Sequence, residues 1–77
     1  MRIKKDINFE DFMNRVDDCQ GEVIFYTDEE DVLNLKSTLS KLIFASLADK
    51  SEFLSSGYIK IDLESDYELL GQFLIKD

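Results

Sequence analysis

The sequence predicts a small two-layer α+β domain with the element order α-β-β-α-β-α. Three observations carry that expectation. Apolar residues recur at helical spacing in three segments, and three short runs are rich in β-branched and aromatic residues. No repeat, low-complexity stretch or linker divides the chain, so residues 1–77 read as one domain. The expected architecture is a three-stranded, mainly antiparallel sheet in the order 2-1-3 with all three helices on one face. The crossover through the second helix should then be right-handed.

The first helix is signalled by Asn8 at the N-cap and Asp11 three residues on, with Ile7 and Phe12 placed for a hydrophobic staple. Phe9, Phe12, Met13 and Val16 form its apolar stripe, and Glu10 and Asp11 suit the positive end of the helix dipole. Gly21 is expected as a left-handed residue just past the helix end. Residues 22–27 then read as a strand that is apolar on both faces, with Val23 and Phe25 on one side and Ile24 and Tyr26 on the other. A strand of that kind belongs in the middle of its sheet. Residues 28–31, Asp-Glu-Glu-Asp, make a hairpin-length link to a second strand over 32–36, with Leu33 and Leu35 on one face.

Ser37 is placed to cap the second helix, whose expected buried stripe is Leu39, Leu42, Ile43 and Leu47, ending near Asp49. Residues 50–57 read as a loop, with Phe53 and Leu54 able to tuck onto the core. The run 58–63 alternates, placing Ile59, Ile61 and Leu63 inward. Ser65 and Glu68 have the spacing of a capping box for a last helix that buries Tyr67, Leu70, Phe73 and Leu74.

With the helices on one side, the other sheet face is left open. Parity assigns it Ile24 and Tyr26, then Val32, Asn34 and Lys36, then Tyr58, Lys60 and Asp62. An apolar centre inside a polar rim is the pattern of an interaction face, and tyrosine suits it because the ring buries area while the hydroxyl stays wet. A solvated antiparallel face carrying a few aromatics is the plainer alternative.

Composition removes several functions. The chain has 9 basic and 17 acidic residues, no His and one Cys, for a net charge of −8. That charge repels phosphate backbones, and no basic patch offsets it, so no nucleic-acid partner is expected. A lone Cys allows no internal disulfide, and the absence of His removes imidazole-based metal sites. Arg2, Lys4 and Lys5 give a basic start without an apolar run behind it, and the longest apolar runs, such as residues 42–45, are far too short for a membrane span. The expectation is a cytoplasmic protein with no membrane partner and a solvated N-terminus.

The remaining clusters carry little chemistry. The 28–31 carboxylates lack the spacing and glycine of a calcium loop. Cys19 sits at a helix C-terminus beside Asp17 and Asp18, which oppose thiolate formation, so it reads as a small core residue. Lys36-Ser37 has no preceding glycines to cradle a phosphate. No catalytic residue, metal ligand or cofactor is expected.

Residues 28–37, Asp-Glu-Glu-Asp-Val-Leu-Asn-Leu-Lys-Ser, followed by Leu39 and Ser40, resemble a family of short bacterial proteins, some of which carry the label "poly(A) polymerase". Members of that family tend to have Gly where this chain has Glu30, so the resemblance implies a different turn here. The resemblance implies a small cytoplasmic bacterial domain and no mechanism. Polymerase chemistry itself needs a Gly-Ser motif, a spaced pair of metal-binding Asp residues and room for RNA, none of which 77 acidic residues offer.

Three functional classes follow, in descending order. The first is a non-enzymatic protein-interaction or regulatory module using the open face, with a protein partner or a second copy. The second is an acidic decoy that mimics nucleic acid toward a DNA- or RNA-binding protein. An enzyme built on Lys36, Ser37 and the 28–31 carboxylates comes last.

Overall fold

The computed structural model describes residues 1–4, 7–47, 53 and 56–75. In chain order the elements are β1 (Arg2–Ile3), α1 (Phe9–Asp18), β2 (Val23–Tyr26), β3 (Val32–Asn34), α2 (Thr38–Leu47), β4 (Tyr58–Ile61), α3 (Tyr67–Leu70) and β5 (Leu74–Ile75), with single 3-10 turns on either side of α3. The class is α+β, and the three central strands lie antiparallel in the order β3-β2-β4.

α1 forms where its signals place it. Asn8 Oδ1 accepts the Asp11 amide at 3.1 Å, and Phe12 and Val16 are fully buried. Across the sheet, Val23 and Phe25 of β2 and Ile59 of β4 face the same core. Phe53 closes over Phe25 with ring centroids 5.1 Å apart. The Phe25 ring also explains Gly57: a Cβ there would stand 2.1 Å from the ring, so only glycine lets the chain pass.

Several expectations are corrected. The N-terminus is not simply solvated: β1 pairs with β5, Lys4 N–H donates to Phe73 O at 2.8 Å, and Ile3 is buried. Ile59 N–H donates to Met1 O at 2.7 Å, so this second antiparallel pair is tied to the outer edge of β4. A single three-stranded sheet is therefore not the whole of the β structure.

The last helix is also shorter than its apolar stripe suggests. α3 has four residues, the chain tightens into a 3-10 turn at Gly71–Phe73, and Leu74 continues as strand because β1 offers it a partner. Ser65 and Glu68 make no capping box there; the N-cap residue is Asp66, and its side chain turns elsewhere. Leu63 lies beyond β4 and is partly exposed.

α2 is rotated relative to the expected stripe. Its fully buried residue is Phe44, whose ring packs 5.0 Å from Phe25, 5.5 Å from Phe9 and 6.3 Å from Phe12. Burying the largest ring turns Leu39, Leu42 and Ile43 outward. The expected end of this helix near Asp49 lies outside the described residues, as does Leu54.

Candidate interaction face

Register decides which side chains share the sheet face opposite Val23, Phe25 and Ile59. Ile24 stands opposite Asn34 on one side and Lys60 on the other, and Tyr26 stands between Val32 and Tyr58. Directly opposed residues point to the same side, so these six side chains form two cross-strand rows. The Tyr26 and Tyr58 rings stack at 5.4 Å with 26° between their planes. Tyr26 remains 38% exposed and Val32 67% exposed, whereas Ile24, Asn34 and Tyr58 are half-buried.

The face has a member that strand parity does not reveal. Arg2 reaches over it from β1, with its guanidinium carbon 5.2 Å from the centre of the Tyr58 ring and Nη2 donating to the Tyr58 hydroxyl at 3.4 Å. A cation over an aromatic ring is attracted by the ring quadrupole, so the guanidinium holds the tyrosine pair in place. Sequence reading could not place Arg2 here, because two-residue strands have no periodicity to recognise.

Lys36, assigned to this face by parity, leaves it. β3 ends at Asn34, whose Oδ1 accepts the Lys36 amide at 2.9 Å while its carbonyl accepts the Ser37 amide at 2.9 Å. That turn swings the Lys36 ammonium to the end of α1, where it donates to Val16 O, Asp17 O and Cys19 O at 3.2, 3.1 and 2.6 Å. The last carbonyls of a helix lack intrahelical partners and carry its negative pole, so a cation suits them.

The acidic hairpin is held internally. Thr27 N–H donates to Asp31 O at 3.0 Å, Glu30 N–H donates to Thr27 O at 3.3 Å, and the Thr27 hydroxyl donates to Asp31 Oδ2 at 2.9 Å. The loop is thus three residues, 28–30, closing on Glu30 with φ of 70°, where three-residue hairpins usually carry glycine. No group of three or more Cys, Asp or Glu among the described residues could hold a metal ion.

The buried titratable residues have structural partners. Asp66, 3% exposed, accepts the Gln20 amide at 3.0 Å and the Gly21 amide at 2.8 Å. Gly21 does not adopt the left-handed conformation expected of it; its constraint is space, since a Cβ would meet Leu63 Cγ at 2.7 Å. Burial pushes the Cys19 thiol up, Asp66 and Asp18 add to this, and Lys36 opposes it. Its sulfur donates to Arg15 O at 3.4 Å. Such a thiol packs as a small apolar side chain.

No helix among the described residues is long and apolar enough to cross a membrane. Comparison with protein-family models, with curated proteins and with solved structures gives no match.

Proposed function

We propose that the chain is a non-enzymatic, cytoplasmic protein-interaction module working through the open sheet face. The observation that carries this reading is the exposed Tyr26 ring, stacked on Tyr58 and flanked by Val32, with Arg2 over the Tyr58 ring. An aromatic pair already ordered by its neighbours loses little side-chain entropy when a partner covers it. Asn34, Lys60 and the Tyr58 hydroxyl supply a polar margin around that centre.

The test is quantitative capture from an extract of the source cell, comparing the wild type with Tyr26→Glu and Val32→Glu. Both side chains are exposed, so neither change removes core packing. A partner held by the wild type should be lost from both variants. Equal retention of the same partner by all three proteins would overturn the reading. The acidic-decoy alternative predicts instead a partner that dissociates steeply as salt is raised and that ignores both substitutions.

A further inference from the structure

We infer that the outer edge of β3 is a strand-addition site, where an extended, basic segment of another protein pairs with the three-stranded sheet. The backbone bonds fix which groups face outward. Thr27 N–H donates to Asp31 O at 3.0 Å and Leu35 N–H donates to Val23 O at 2.8 Å, so Phe25 and Leu33 are the hydrogen-bonded pair between them. Val32 and Asn34 alternate with these pairs, which turns their N–H groups and the Val32 carbonyl away from β2. Among the described residues those outward groups meet no partner. The opposite edge is closed, because Ile59 N–H of β4 donates to Met1 O. β3 carries none of the usual guards of an edge: residues 32–34 hold no charge or proline, Val32 is 67% exposed, and the adjacent Lys36 is committed to α1.

Chemistry identifies the occupant. Outward N–H and C=O groups spaced two residues apart are matched by another extended backbone. The hairpin at the end of β3 carries Asp28, Glu29, Glu30 and Asp31, in a molecule of net charge −8. Those carboxylates select Lys or Arg in the added segment and repel a second copy of this chain. The inference goes beyond the sheet-face reading and stands without it, since it is read from the backbone of β3.

The probes are the capped hexapeptides Thr-Val-Thr-Val-Lys-Lys and Lys-Lys-Thr-Val-Thr-Val, which bring their cations to the hairpin in either strand direction. Each is titrated into the full chain while amide exchange is followed by NMR. One should bind with a dissociation constant below about 1 mM and slow exchange at Val32 and Asn34 by about fivefold or more. N-methylation of alternate peptide amides, or Glu in place of the peptide's Lys, should weaken binding by about tenfold or more. Val32→Pro removes an outward donor, spares the bonds to β2, and should do the same with unchanged circular dichroism. Glu29→Gln with Glu30→Gln should weaken binding about threefold and flatten its salt dependence. Tyr26→Ala should leave the affinity within about twofold of wild type. Absence of binding by both peptides overturns the inference. Exchange at these amides that slows on raising the protein concentration alone assigns the edge to a second copy and also overturns it. A peptide lost on Tyr26→Ala but held equally after N-methylation and by Val32→Pro lies on the sheet face, with the same consequence.

Discussion

α1 and α2 are each ten residues long, and they are held in opposite ways. α1 is fastened at both ends by polar groups: Asn8 at its start, the Lys36 ammonium on its last carbonyls, and Asp66 on the two amides that follow Cys19. Two of its residues, Phe12 and Val16, are fully buried, and its outer side is polar. α2 is held by the Phe44 ring and the Lys41–Asp17 ion pair, and its outer side is apolar. An apolar helical stripe therefore shows that a surface wants covering, while the covering body is decided by packing that spacing alone does not contain.

Substitutions within α2 test that contrast most strongly. Phe44→Ala removes a ring in contact with three others and should cost about 3–5 kcal/mol, whereas Leu42→Ala, measured in dilute protein by chemical denaturation, should fall within about 0.5 kcal/mol of wild type. Comparable losses would mean that the outer stripe is packed. For α1, Asp66→Ala strands the Gln20 and Gly21 amides next to a buried site and should cost about 2–3 kcal/mol, read from the same denaturation curves. Lys36→Met keeps the aliphatic stem but removes the cation from the α1 carbonyls; a loss of about 1–2 kcal/mol is expected, and no loss would show that water replaces the ammonium freely.

The smallest effect lies in the hairpin. Glu30→Gly relieves a left-handed conformation and should raise the stability read from denaturation curves by about 0.5–1 kcal/mol. A fall instead would show that the Glu30 side chain contributes more than its backbone costs.

Much of this architecture was legible in the residues. The cap at Asn8, the α1 stripe, the apolar character of β2 on both faces and the parity that groups Tyr26 with Tyr58 are all local patterns of period 3.6 or 2. What escaped was set by contacts distant in sequence. β1 and β5 are two residues each, and they pair across more than seventy positions. Lys36 belongs by parity to the sheet, but the turn at Asn34 sends it to α1. Asp66 looks like one more surface acid until Gln20 and Gly21 are brought to it. In α2 the choice between Phe44 and the leucines rested on three rings from other elements, none of them adjacent in sequence.

The outer side of α2 can be examined in one molecule that carries its own reference. Leu42→Cys places a second thiol on that side, while Cys19 is buried with its ionisation held up by burial. Under reducing conditions, the rate of alkylation of each thiol should be followed in the native protein and in denaturant. The account predicts that in the native protein the new thiol reacts about as rapidly as it does in denaturant, while Cys19 stays protected until the chain unfolds. A new thiol protected as strongly as Cys19 would place Leu42 in the core and contradict the account.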